Sequence, residues 1–311
     1  MNILATGCAG FIGSHFVEES ISCGDSIVGV DSLTYAGKLS NMINFQDSIH
    51  FYKENICNTA EILKIVKNHN TEWIVNFAAE THVDNSIQSC DEFIKTNIFG
   101  VKSLLDICKE TGTKLMQIST DEVYGTASDR SFLETDVLSP GNPYSATKAA
   151  AEHLVTSYAN TYGIVYLIAR PSNNFGPRQH AEKLIPTIFK SVLSDKKVPI
   201  YGSGNNIRDW LFVKDTAKII RKIIDSGTIN NAYNVTASNE MPNVNIIKKI
   251  LSMCNKDFDD STMFIKDRLG HDFRYSIDNR KLLEIVNDSI FSNFDEALRE
   301  TYEFYMSEKS L

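Results

Sequence analysis

Residues 2–31 place the tightest constraint on what this chain can fold into. A β-rich run, Asn2–Thr6, leads directly into Gly7-Cys8-Ala9-Gly10-Phe11-Ile12-Gly13. A helical stretch follows, and then a second apolar run, Ser26–Asp31, ends in a carboxylate. Glycines at such a turn let the chain reverse tightly. They also let backbone N–H groups approach a pyrophosphate at the N-terminus of the next helix. The spacing is G-x-x-G-x-x-G rather than G-x-G-x-x-G. Asp31 lies 18 residues beyond Gly13, close to the roughly 20 expected of an acid that accepts from a ribose hydroxyl. A carboxylate there repels a 2′-phosphate, so the ligand expected is NAD rather than NADP.

The same alternation continues. Ile49–Lys53, Trp73–Ala78, Lys114–Ser119 and Ile164–Ala169 read as further strands, several apolar nearly throughout, as strands covered on both faces are. Helical stretches separate them, among them Thr59–His69, where Asn58 and Glu61 have the spacing of a capping box. The expected fold is α/β, a doubly wound parallel sheet, Rossmann-like, with a smaller C-terminal substrate-binding domain. Residues 1–170 are expected to form the NAD-binding domain, with later strands near 207–238 returning to it, and 171–311 mainly the second domain. Further helices are expected near Glu182–Leu193, Val213–Asp225, Asn243–Cys254 and Asn293–Tyr305.

Two helices stand apart. In Asp91–Thr111, Ile94, Ile98, Val101, Leu105 and Cys108 repeat at steps of three and four. In Asn142–Tyr162, Ala151, Leu154, Tyr158 and Tyr162 share a face while Ala146, Ala149 and Ala150 lie elsewhere. Either a subunit contact or extra packing within the chain accounts for the pattern.

Charge excludes one class of partner. With 31 basic and 39 acidic residues the net charge is −8, the wrong sign for sequence-independent binding to nucleic acid. No run of about 18 apolar residues suggests a membrane span, and the N-terminus has no basic segment of the kind that opens a signal peptide. The six cysteines show no Cys-x-x-Cys pair, so neither zinc nor a disulfide framework is expected, and the compartment read from them is the cytoplasm. His82 has no second ligand at a zinc spacing, and no metal is expected.

The fifth strand ends in Ser119-Thr120-Asp121-Glu122-Val123-Tyr124-Gly125. Ligands of a doubly wound sheet bind beyond the carboxyl ends of its strands. Adjacent Asp121 and Glu122 offer an acid and a base there, provided their environments separate their pKa values. Tyr144 and Lys148 stand four apart on a helix and share a face. The Lys148 ammonium is expected to favour a phenolate at Tyr144, whose unperturbed pKa of about 10 is too high for a base at neutral pH.

Gly7–Gly13 with Tyr144-x-x-x-Lys148 resembles the extended short-chain dehydrogenase/reductases. Longer strings resemble the nucleotide-sugar 4,6-dehydratases, above all those that act on dTDP-glucose. They are Asp31–Gly37 (DSLTYAG), Ala78–Asp84 (AAETHVD), Ser119–Gly125, Arg170–Pro177 (RPSNNFGP), Glu182–Pro186 (EKLIP), Arg208-Asp209-Trp210 and Asp267–Asp272 (DRLGHD). In this family, epimerases generally lack the Asp-Glu pair and decarboxylases keep only the Glu.

The resemblance implies a three-step reaction. Tyr144, assisted by Thr120, removes the sugar C4 hydroxyl proton as hydride passes to NAD. Glu122 then takes the C5 proton while Asp121 protonates the departing C6 hydroxyl, and hydride returns to C6. By the same resemblance Gly7, Gly10, Phe11, Ile12, Gly13, Asp31, Leu33, Thr34, Asn55, Ile56, Ala78, Ala79, Thr96, Tyr144, Lys148 and Asn174 contact NAD. Thr81, Thr120, Asn173, Lys183, Leu184, Pro199, Tyr201, Arg208, Asn243, Arg268 and His271 face the nucleotide sugar. Arg208 and Arg268 suit a diphosphate, because guanidinium donors match phosphate oxygens. The family's usual partnership is a homodimer through a four-helix contact.

The chain departs from the pattern at three places. Asn55 replaces the usual Asp beside the adenine, Asn85 replaces an Arg, and the usual Gly-Trp-x-Pro stretch is missing near 283–292. Asn85 leaves a UDP-N-acetylhexosamine dehydratase open as an alternative, beside an epimerase or decarboxylase.

Overall fold

The computed structural model describes residues 1–267 and 270–307. Seven parallel strands form one sheet: β1 (Asn2–Thr6), β2 (Ser26–Asp31), β3 (His50–Lys53), β4 (Trp73–Asn76), β5 (Lys114–Ile118), β6 (Tyr166–Pro171) and β10 (Asn231–Val235). Their spatial order is β3-β2-β1-β4-β5-β6-β10. The order reverses between β1 and β4, which is where a doubly wound sheet opens its ligand crevice.

Alternation of side chains explains why both faces are covered. From β1, Ile3 and Ala5 pack with Phe16, Ile219 and Ile223. Leu4, between them, packs on the opposite face with Ile62, Leu104 and Val155. All three β1 residues are fully buried; cutting Leu4 to Ala is expected to cost about 2–5 kcal/mol.

Of the 207–238 stretch, Asn231–Val235 joins this sheet beside β6. Ile207–Phe212 (β9) instead pairs with β7 (Asn173–Phe175) and with β11 (Glu240–Pro242) in a three-stranded sheet. A parallel pair, β8 (Val198–Tyr201) and β12 (Thr262–Ile265), flanks it. A second core of Phe175, Phe189, Trp210, Ile246 and Leu298 holds these pieces to the helices Leu184–Leu193, Asn243–Met253 and Phe294–Ser307.

Two local expectations need correction. The Thr59–Asn68 helix has no side-chain cap from Asn58. Glu61 is drawn instead to Lys64, 2.6 Å away, and the approach to the helix is shaped by Asn55, whose Oδ1 accepts from Cys57 N–H at 2.9 Å. The 91–111 stretch is helical but not regular. A π-helical segment at Ile94–Gly100 separates Asp91–Phe93 from Val101–Thr111. It turns Asn97 inward, where its amide accepts from Glu80 N–H at 2.9 Å and donates to Glu80 C=O and Thr147 Oγ1, each at 3.0 Å. The Pro143–Tyr162 helix has a true capping box, with Asn142 Oδ1 accepting from Ser145 N–H at 2.9 Å and Ser145 Oγ accepting from Asn142 N–H at 3.3 Å.

Candidate active site

The glycine loop needs its glycines. Gly7 has a left-handed backbone (φ 66°), and a Cβ there would stand 2.7 Å from the Ala78 nitrogen. A Cβ on Gly13 would overlap the Gly7 carbonyl. Gly10 precedes the Phe11–Ser22 helix with no side chain capping its first turn, so that turn presents backbone amides to an anion. Gly7, Gly10, Phe11, Ile12 and Gly13 line a cavity of about 260 Å³, with Ala79, Thr81, Asn173 and Asn174 on its other walls.

Asp31 holds this loop from outside the cavity. Its Oδ2 accepts from Ala9 N–H at 3.0 Å and its Oδ1 from Leu33 N–H at 2.8 Å. Burial raises its pKa against these two bonds. Each oxygen keeps a second lone pair for another donor. Leu33, Thr34, Asn55, Ile56, Ala78 and Thr96 also lie outside this cavity's walls. Ile56 packs against Gly100, where a Cβ would collide with it, and Thr96 sits half-buried in the π-helical segment.

Thr120, Asp121, Glu122, Tyr144 and Lys148 line the same cavity. Thr120 opens the short turn Asp121–Tyr124 at the end of β5, its Oγ1 accepting from Glu122 N–H and donating to Asp121 Oδ1, both at 3.3 Å. Asp121 is only 3% exposed. Burial first, and then the charges of Glu122 and Asp209, push its pKa well above the carboxylate range, against Arg208 and Thr120. Its Oδ2 is buried without a hydrogen-bond partner. Protonation spares that environment a buried charge. Glu122 is placed differently, its Oε2 accepting from Asn142 Nδ2 and lying near Tyr275 Oη, each at 3.3 Å.

The expected link between Lys148 and Tyr144 takes another form. Lys148 Nζ reaches across to β5 and donates to the Ile118 carbonyl at 2.6 Å. Burial lowers its pKa to about 8, with Glu152 opposing. Tyr144 is held protonated, mainly by burial and then by Glu122, while a hydrogen bond with Thr120 favours its charged form. One of the three Lys148 N–H donors is thus committed to the strand that ends at the catalytic turn.

A second cavity of about 290 Å³ adjoins the first, and Glu122, Asn173, Asn174 and Lys183 line both. Leu184, Pro199, Tyr201, Arg208, Asn243 and His271 complete its expected lining, while Thr81 and Thr120 stay in the first cavity. Arg208 is buried, its guanidinium 4.1 Å from the Tyr275 ring and donating to the carbonyls of Ile207 (2.8 Å) and Asp272 (2.9 Å). Lys183 Nζ donates to Thr81 C=O at 3.2 Å, and His271 Nδ1 lies 2.6 Å from Asp267. Arg268 falls outside the described residues. A larger cavity of about 850 Å³ between the Phe11–Ser22 and Phe294–Ser307 helices carries none of the catalytic residues.

Sequence reasoning missed Asn142 and Tyr275 as partners of Glu122. It also missed Glu152, which is buried and paired with Arg170 at 2.5 Å, and which accepts from Ser119. Glu152 stands four residues after Lys148, and Arg170 within one of the quoted strings, so a buried charge pair was the available signal. Tyr275 had none.

The sheet order, the glycine loop and Tyr144 with Lys148 define a dinucleotide-dependent enzyme of the extended short-chain dehydrogenase/reductase class. More narrowly, the chain belongs to the family described as GDP-mannose 4,6 dehydratase, which it matches over residues 4–301. It is 38% identical to the dTDP-glucose 4,6-dehydratase of Neisseria gonorrhoeae, over 99% of this chain and 96% of that one. The structure of dTDP-glucose 4,6-dehydratase from Bacillus anthracis, in complex with NAD, superposes with a TM-score of 0.92 at 37% identity, covering 99% and 97% of the two chains. A dTDP-glucose 4,6-dehydratase from Streptomyces venezuelae with NAD bound gives 0.96 at 33% identity, covering 99% and 98%.

Proposed function

We propose that this enzyme removes water from a nucleoside-diphosphate hexose, dTDP-glucose first and UDP-glucose second, to give the 4-keto-6-deoxy sugar nucleotide with tightly bound NAD. One observation carries the reading: Asp121 Oδ2, buried and without a hydrogen-bond partner, stands beside Glu122, an acceptor that lines both cavities, and burial favours the proton on Asp121. Dehydration needs an acid and a base of that kind side by side.

The glycine loop fits NAD, because the three glycines leave room that a Cβ would fill and the helix N-terminus offers amides to a pyrophosphate. When bound, NAD supplies the hydride acceptor for C4 and the donor for C6. Tyr144 acts as the base only after losing its own proton: as a phenolate, which Thr120 favours and burial and Glu122 oppose, its Oη takes the C4 hydroxyl proton. Lys148 keeps a positive charge at the same wall below a pH of about 8. The new ketone acidifies the C5 hydrogen, which Glu122 removes. Asp121 delivers the proton from Oδ2 to the C6 oxygen, and water departs. Arg208 and Lys183 supply the positive wall that a diphosphate needs on a chain of net charge −8, with His271 lining the same cavity.

The division of labour belongs to the same proposal: residues 1–170 for NAD, and 171–311 mainly for the nucleotide sugar. So does a homodimer through the 91–111 and 143–162 helices, where Phe99 and Tyr162 are exposed, Phe99 by 61%. Work in the cytoplasm rests on the cysteine pattern; no helix among the described residues is long and apolar enough to cross a membrane.

A panel of dTDP-glucose, UDP-glucose, GDP-mannose, UDP-N-acetylglucosamine and UDP-glucuronic acid, read by mass spectrometry and NMR, tests the reading. Loss of one water from a glucose nucleotide supports it. Loss of water from the N-acetyl sugar alone moves the substrate. An unchanged mass with an inverted centre, or loss of carbon dioxide from a uronic acid nucleotide, replaces it with an epimerase or a decarboxylase.

A further inference from the structure

We infer that Asn142 is a positioning residue for the base Glu122, anchoring it to the N-terminus of the helix that carries Tyr144. The inference rests on the dehydratase reading and deepens it. Asn142 is 7% exposed and lines the substrate cavity. Its Oδ1 is committed to Ser145 N–H at 2.9 Å, and Ser145 Oγ closes the capping box on Asn142 N–H at 3.3 Å. The amide cannot flip without breaking the cap, so its Nδ2 is the end that faces Glu122 Oε2, at 3.3 Å.

The helix does not require this residue. Ser or Asp caps an N-terminus as well as Asn, and neither carries an NH₂ donor. Among the described residues the extra donor has one use, and that is Glu122. The segment holding Asn142 is itself pinned. Gly141 packs against Asp272, whose Oδ1 a Cβ would meet at 2.9 Å. Tyr275 Oη has one proton to give; it lies 2.8 Å from Asp272 Oδ2 and 3.3 Å from Glu122 Oε2, so the shorter contact takes it. Asn142 Nδ2 is therefore the donor committed to Glu122, and it is rigidly tied to the helix that carries Tyr144. The ionisable groups that feel its charge are Asp121, Tyr144 and Tyr275. Asn142 adds a neutral donor where a further acid would repel.

Two variants that both keep the cap test this. Asn142→Ser removes the donor, and Asn142→Asp replaces it with an acceptor. In Asn142→Ser, kcat is expected to fall about ten-fold or more while KM changes little. A kinetic isotope effect from substrate deuterated at C5 should grow, because proton removal by Glu122 becomes slower. In Asn142→Asp the acidic limb of the kcat profile should move to higher pH, since a neighbouring carboxylate makes Glu122 harder to ionise. Both variants should remain folded, with cooperative melting transitions. Parental kcat, isotope effect and pH limb in both folded variants would leave Asn142 a helix cap only and overturn the inference. Failure of the parent enzyme to release water from any sugar nucleotide overturns the dehydratase reading itself, and is seen before the variants are compared.

Discussion

Asp121→Asn is expected to make the protein more stable and far less active. Asp121 is fully enclosed, and burial beside Glu122 and Asp209 raises its pKa well above the usual range. For a raised carboxyl, the folded chain keeps a proton that the unfolded chain releases. Stability is therefore lost as pH rises from the unfolded value to the folded one. Each pH unit in that window costs the parent about 1.4 kcal/mol, equivalent to about 2 °C of melting temperature per kcal/mol in a chain of this size. An amide has the same shape and no proton to lose, so the variant escapes that cost. Melting curves of both proteins between pH ~4 and ~7 should show the variant's advantage widening with pH. Its kcat should fall by about 10²–10⁴, the usual contribution of a general acid, while Glu122 continues to exchange the C5 hydrogen with solvent deuterium. A melting difference that does not change with pH refutes the protonated state of Asp121. Undiminished kcat refutes its role.

Lys148 gives a pH prediction of opposite sense. With its pKa lowered to about 8, it loses its charge above that pH, and kcat should fall there; activity undiminished into the ordinary lysine range contradicts the role. Glu152→Ala leaves the buried Arg170 guanidinium unpaired, and calorimetry should show a loss of about 3–5 kcal/mol. Gly13→Ala drives a Cβ into the Gly7 carbonyl and should abolish NAD retention, measured by the cofactor content of purified protein. Phe99→Glu places a charge on the exposed face of the 94–100 segment and should yield monomers in light scattering, with the monomer's fold intact by circular dichroism.

The sheet was legible because its strands are marked by composition. Ile3, Leu4 and Ala5 must all be buried in a strand covered on both faces, and no helix period fits them. The paired carboxylates and Tyr144 with Lys148 were legible because neighbours in the chain stay neighbours in space. What could not be read depends on contacts made across the fold. The extra residue in the 94–100 segment is set by Asn97 clamping the Glu80 backbone, which periodicity cannot register. Asn58 and Glu61 have the spacing of a cap, yet Lys64 wins Glu61, whereas Asn142 and Ser145 do form one. Lys148 was read against its helix neighbour, and one of its donors goes to β5. Tyr275 reaches Glu122 from 153 residues away, and nothing local to either residue announces it.

The central claim is that one active site oxidises C4, removes water across C5 and C6, and returns the same hydride to C6. Substrate carrying deuterium at C4 tests it most directly, with product analysed by mass spectrometry and NMR. The account predicts loss of one water with the label recovered at C6 of the same molecule. Label that stays at C4 with the water retained contradicts it.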